Sequence, residues 1–360
     1  MKSVAKKALF VAGVAAAFVL VAFATTPALA AMVLVCGLVL GAEFVNGWTD
    51  APNAIATLIA TRVLTPSQAI GMAVVMNVLG TFSGTAVAET LGTGIVDPST
   101  ISLLTISAAL VGIILWGAVA AQFGIPTSES HALVAGLSGA ALATAGPQSL
   151  QWSGWSKVLI GIGSALVFGS LLSWLMARAV ITCAGPREPR KTKRLFDRSQ
   201  ILTGMGMAFA HGLNDGQKFI GVFTLGLMMG GILPEFQIPK WVIVLCAVTM
   251  GVGTSVGGHK IIATLGEKIA KIESWQGFSA LASSATTIVS MSAFGVPLST
   301  THTIVAAITG AGAARSPHLV HWVYPRLIVY ASVITFPLCG GIAFLVCAVF
   351  QAGAALLRRP

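Results

Sequence analysis

Six hydroxyl side chains are gathered at two places in this chain. Thr127, Ser128 and Ser130 follow Gly124-Ile-Pro126, while Ser299, Thr300 and Thr301 follow Gly295-Val-Pro297. Both places belong to one repeated block, Phe123–Ala143 and Phe294–Ala314, identical at ten of 21 positions. Proline is favoured at the first position of a helix, where its missing N–H would be unsatisfied anyway. Each hydroxyl cluster therefore falls at a helix start, where free N–H groups and the positive dipole end attract an anion. The pattern reads as an oxyanion site built twice. A Ser or Thr in a membrane helix often bonds its own backbone instead, but clustering in both copies favours the ligand reading for Ser128 and Ser299.

A second, fainter repeat offers oxygen donors for cations. Phe44–Asn53 (FVNGWTDAPN) aligns with Phe209–Lys218 (FAHGLNDGQK), matching Phe44/Phe209, Gly47/Gly212 and Asp50/Asp215. Asp50, Asp215 and Glu129 stand within apolar stretches. An ionised acid at a bilayer centre costs at least ~2.5–3.5 kcal/mol, which makes such acids functional candidates. Asn46, Asn53, Asn214 and Gln217 add the neutral oxygens that hard cations take. Together these seven residues form the candidate cation set, for sodium first and a proton second, because amides beside carboxylates make an oxygen cage. Three alternatives stay open. Asp50 and Asp215 pair with Lys218 or with helix ends, His131 and His302 fix local geometry or sense protons, and Glu89 caps a helix end.

The elements that must position these groups are membrane helices. Mean hydropathy is +0.89, and only 9% of residues are charged, against roughly 25% in soluble domains. Apolar runs near Ala8–Ala30, Ala31–Trp48, Ile70–Val87, Val158–Ala177, Val242–Val256 and Leu327–Phe350 are long enough to cross a bilayer, or nearly so. The net charge of +10 comes from basic residues in short loops, which is the positive-inside pattern and no sign of a nucleic-acid partner. Five single cysteines without paired spacing imply no disulfide or metal framework. Residues 1–30 read as a first apolar helix or a signal peptide ending at Ala28-Leu29-Ala30. The first repeat spans 31–182, with a hairpin about 101–146. A basic cytoplasmic linker, 183–200, reads mostly as a solvated loop. The second repeat spans 201–355, with a hairpin about 275–314. Counting crossings against the basic loops places the two hairpins on opposite sides, an inverted repeat.

The segments NGWTDAPNAIAT (Asn46–Thr57), GIPTSESHALVAGL (Gly124–Leu137), HGLNDGQKFIG (His211–Gly221) and GVPLSTTH (Gly295–His302) resemble the paired signatures of the PiT inorganic phosphate transporters, a family of phosphate and sulfate permeases. The resemblance covers about residues 31–350. It implies an all-α, inverted-repeat secondary transporter whose two re-entrant hairpin tips meet around the oxyanion, with cations bound by the Asp/Asn motifs. The first half departs from the common pattern at Thr49 and Pro52. The expected function is cation-coupled phosphate symport in the cell membrane, without enzymatic activity or a cofactor. Sulfate permease is the alternative, and an anion channel or membrane-embedded enzyme is a distant one. The partners are phosphate (or sulfate), sodium or protons, and the lipid bilayer; a homo-oligomer is compatible with this reading. Glu129, set between Ser128 and Ser130, is expected to accept the proton that phosphate keeps and sulfate lacks, favouring phosphate.

Overall fold

A computed structural model describes residues 27–184 and 189–357. Most of the N-terminal apolar segment, the middle of the linker and the Arg358–Arg359 pair lie outside the described residues. The chain is helical, and its elements run twice in the same order. The first half comprises α1 (Pro27–Thr49), α2 (Pro52–Ala60), α3 (Pro66–Thr81), α4 (Ala86–Thr93), α5 (Leu103–Phe123), α6 (Glu129–Ala145) and the long α7 (Trp152–Ala184). The second half comprises α8 (Pro189–His211), α9 (Gln217–Met229), α10 (Lys240–Val256), α11 (His259–Ala263), α12 (Ser274–Ala293), α13 (Thr300–Arg315) and the long α14 (Val323–Leu357). The basic linker expected as a loop is helical from Pro189 onward, because proline fits the first turn and the Lys/Arg/Gln residues that follow are good helix formers.

Each half opens with a broken helix, and the two breaks arise differently. Pro52 lacks an N–H and its ring clashes with the carbonyl four residues earlier, so α1 stops at Thr49 and leaves Asp50 and Ala51 at the break. The second half has no proline there. Between α8 and α9 the backbone widens into a π-turn, Gly212–Gly216, which holds Asn214 and Asp215. Insertions of this kind concentrate at functional sites. A bent pair follows in each half: α3 and α4 meet at 72°, and α10 runs into His259–Gly266 at 66°.

The hairpins α5/α6 and α12/α13 come next. Each first arm ends in a glycine of left-handed conformation, Gly124 and Gly295, both at φ +64°. Proline and the hydroxyl cluster then lead into the second arm, with Ser128 and Ser299 as N-caps. The halves interlock rather than sit side by side. The first half's α7 packs along α13, the second half's α14 along α6, and α10 along α1. Two apolar cores result, one around α1, α4–α6 and α9, the other around α2, α3, α8 and α11–α13. The polar groups gather where these cores meet.

Candidate functional site

The hairpin tips touch each other reciprocally. Ser130 Oγ donates to the Leu298 carbonyl at 2.5 Å, and Thr301 Oγ1 donates to the Thr127 carbonyl at 2.9 Å. Ser130 and Thr301 occupy equivalent positions of the repeat, as do Thr127 and Leu298. A pair of contacts that exchanges equivalent residues is the signature of a two-fold relation, here internal to one chain. Ser128 and Ser299 accept the N–H groups of His131 and His302 at 3.3 and 3.2 Å. The two imidazoles then stack across the axis with centroids 4.9 Å apart, so the histidines join the hairpins.

Asp50 sits against the first tip. Its Oδ2 accepts the Glu129 N–H at 3.3 Å, its Oδ1 lies 3.5 Å from Thr301 Oγ1, and Asn53 Nδ2 donates to that same hydroxyl at 2.8 Å. The carboxylate thus occupies a helix N-terminus of the kind that suits an oxyanion. Asp215 is placed likewise against the second tip, accepting the Thr300 hydroxyl at 3.2 Å. The Asn214 amide, correctly oriented, donates to Asp215 Oδ1 at 3.2 Å and to the Leu298 carbonyl at 3.1 Å. Thr127, Ser128, Ser130, Ser299, Thr300 and Thr301 are all buried, as are Asn46, Asp50, Asn53, Glu129, Asn214, Asp215 and Gln217.

The two acids differ in what balances them. Lys218, with no exposed surface, donates to Asp215 Oδ1 at 2.5 Å and also to Ser130 Oγ. Lys218 aligns with Asn53 in the repeat, so an ammonium in one half replaces an amide in the other. Asp50 has no such counter-charge among the described residues, while Asn53 Oδ1, Glu129 Oε2, Asn46 Oδ1 and Glu43 Oε1 are buried without a hydrogen-bond partner. Unpaired buried oxygens carry a desolvation cost that a bound cation or a proton removes.

Two expectations change, those for Gln217 and for Glu129 as a partner of the substrate. Gln217 turns away from the acids; its carboxamide oxygen accepts the Val87 N–H at 2.9 Å and so satisfies the start of α4. Glu129 does not face the hydroxyls beside it. Its carboxylate accepts Thr49 Oγ1 at 3.3 Å because residues adjacent on a helix point about 100° apart. Asn46 donates to Glu43 Oε2 at 3.2 Å and approaches the Asp215 carbonyl at 3.5 Å, bridging the halves. Sequence reading passed over Glu43, which is fully buried. Its position one helical turn before Asn46, inside an apolar run, was the available signal. His211, bonded to Asn77 at 3.0 Å and 3.4 Å from Asp215, was also missed.

A profile of the phosphate transporter family matches residues 46–343. The chain belongs to that family. Among its relatives, a probable low-affinity inorganic phosphate transporter of Rhizobium meliloti (strain 1021) is 41% identical over 305 residues, 82% of this chain and 89% of the relative. A protein of the same description from Bacillus subtilis (strain 168) is 36% identical over 321 residues, 88% of this chain and 96% of the relative. A solved structure described as the sodium-dependent phosphate transporter matches with a TM-score of 0.83 and 24% identity, covering 89% of this chain and 99% of that one. At that identity the likeness establishes the fold. Members of the phosphate transporter family are carriers rather than enzymes, and this one is a multi-pass protein of the cell membrane.

Proposed function

We propose that this protein carries inorganic phosphate into the cell by cation-coupled symport, the oxyanion held between the two hairpin tips and sodium bound at Asp50. The single observation that carries this reading is an unpaired acid, Asp50, lying on the N-terminus of a hairpin helix beside two touching hydroxyl clusters. The charge count supports it. Four acids are buried, Glu43, Asp50, Glu129 and Asp215, against one buried ammonium, Lys218, which pairs with Asp215. Importing a divalent anion against an inside-negative potential adds roughly 4–5 kcal/mol at 100 mV. Such a pocket admits phosphate only together with cations.

An order of binding follows. Two unit charges 4 Å apart at an effective dielectric of about 20 interact by about 4 kcal/mol, so an ionised Asp50 repels an oxyanion at the same helix end. Sodium at Asp50, with Asn53 and Glu129 as further oxygens, removes that repulsion. The Ser128 hydroxyl and the Glu129 N–H, shared with Asp50, then serve phosphate, and the Ser299 hydroxyl joins them by exchanging its contact with His302 Nδ1, 2.6 Å away. Thr300 and Ser130, held by Asp215 and Lys218, complete its surroundings. The relatives described as inorganic phosphate transporters support phosphate as cargo. Uptake of labelled phosphate by proteoliposomes, under separate sodium and proton gradients, tests the reading. Sodium-driven accumulation is expected. Accumulation driven by protons alone replaces sodium as the coupling ion, and competition by sulfate as strong as by unlabelled phosphate replaces the cargo.

A further inference from the structure

Between Arg62 and Arg178 the chain carries one lysine, Lys157, and no arginine. Outer segments of membrane proteins are poor in Lys and Arg, so a lone lysine in this stretch calls for a local reason. Lys157 lies in the second turn of α7 and lines a cavity of about 450 Å³ with Glu89, Thr90, Thr93, Ser153 and Phe294. Glu89 and Ser153 are exposed, and Phe294 keeps 73% of its surface, so the cavity opens outward. A lysine and a glutamate in its wall suit water rather than lipid as its filling.

Its floor is the second hairpin tip, Ala293 to Gly295. Lys157 Nζ donates to Thr90 Oγ1 at 3.1 Å, and Thr90 Oγ1 in turn donates to the Gly295 carbonyl at 2.8 Å. An ammonium has three protons to donate, and this contact uses one. Among the described residues no carboxylate lies within ion-pair distance of Lys157.

We propose that this cavity is an outer admission site for the oxyanion, in which Lys157 and the Ser153 hydroxyl take phosphate from solvent before it passes the second tip. The proposal rests on the symport reading above. An arriving anion competes with Thr90 for the ammonium's protons, so docking loosens the chain of contacts that holds Gly295. The first tip has a comparable attachment on the other side of the repeat, where Lys260 donates to the Gln122 carbonyl at 2.6 Å and Thr264 to the Gly124 carbonyl at 3.1 Å. That attachment supplies an internal control.

The test is the KM for external phosphate, measured in proteoliposomes of known orientation. Lys157→Gln is expected to raise KM about two- to fivefold, the range of a solvent-exposed charge contact, with kcat unchanged. Lys157→Arg restores the wild-type KM. Ser153→Asp, at an exposed position that tolerates the change, raises KM as well. High ionic strength raises the wild-type KM and leaves that of Lys157→Gln nearly constant. Lys260→Gln keeps the wild-type value for external phosphate. An unchanged KM in both Lys157→Gln and Ser153→Asp overturns the proposal. So does a fall in kcat at constant KM, which assigns Lys157 to holding the tip alone, or an equal rise in Lys260→Gln, which reports net charge. Absence of phosphate uptake by the wild-type protein overturns the symport reading and this proposal with it.

Discussion

The two repeated acids carry different burdens, and substitution separates them. Asp50→Asn removes a carboxylate that has no fixed counter-charge, so the protein is expected to insert and fold normally but to lose sodium-driven accumulation. Sodium-dependent accumulation that survives Asp50→Asn excludes it as the coupling acid. Asp215→Asn instead strands the Lys218 ammonium, 2.5 Å from the lost charge and fully buried. Breaking a buried pair by removing one partner costs about 3–5 kcal/mol, so detergent-solubilised Asp215→Asn is expected to unfold at a clearly lower temperature than Asp50→Asn. Equal melting temperatures refute the assignment. The serines are a milder case. Ser128→Ala and Ser299→Ala each lose an N-cap worth about 1 kcal/mol and a donor to a charged ligand worth ~1.5–3 kcal/mol, or roughly 10–100-fold in phosphate affinity. Unchanged apparent affinity in both removes these hydroxyls from the binding site. Because the Glu129 carboxylate meets Thr49 rather than the hydroxyl cluster, Glu129→Gln is expected to raise the sodium concentration needed for uptake. A narrowed phosphate-over-sulfate preference at constant sodium dependence points instead to contact with the substrate.

At the scale of elements, the hairpins are held by small residues where chain crosses chain. Gly124 and Gly295 end the first arms at φ +64°, a conformation that costs a residue with a Cβ roughly 1–2 kcal/mol. A Cβ at Gly295 also lies 2.9 Å from the Ala86 carbonyl oxygen, and one at Gly124 lies 3.0 Å from Lys260 Cβ, an atom that moves only with its backbone. Gly295→Ala and Gly124→Ala are therefore both expected to lower thermal stability, as followed by unfolding in detergent. No loss in either contradicts the described tip geometry. The same logic explains Gly80, where a Cβ lies 2.0 Å from the Phe209 carbonyl and α3 crosses α8 backbone to backbone. Both tip phenylalanines, Phe123 and Phe294, keep about three quarters of their surface, at 75% and 73%. They stand outside the core on the turns that the threonine and lysine contacts attach to α4 and to the α11 region.

At the scale of the molecule, the interlocked halves make one site from two unequal copies. The repeat by itself suggests two exchangeable cations, one beside each acid. On the symport proposal, Lys218 in place of the first half's Asn53 stands for one of them permanently, since an ammonium tethered to α9 cannot leave with the substrate. Lys218→Asn restores the symmetrical arrangement and is expected to add one sodium per phosphate to the measured stoichiometry, with a steeper sodium dependence. A stoichiometry identical to that of the wild type rules out Lys218 as a built-in cation.

Much of this was open to reading in the chain alone. Apolar runs and sparse charge fixed a helical membrane protein, since lipid offers no partner for an unpaired backbone. Two matched blocks with Gly-x-Pro starts fixed paired helix N-termini, because proline and N-cap chemistry act locally. Asp50 and Asp215 stood out because a charge in an apolar run has few bland explanations. What depended on distance in space was out of reach. Gln217 and Glu129 had the right types and positions, but helical rotation and neighbouring elements turned one toward Val87 and the other toward Thr49. Glu43 became part of the site only when α1 met the π-turn of the other half, through Asn46 and the Asp215 carbonyl. The pairing of Lys218 with Asp215, and the absence of any such partner beside Asp50 among the described residues, rests on packing between helices. Sequence periodicity records which face of a helix is apolar; which polar group faces another across that packing is settled by the tertiary fold.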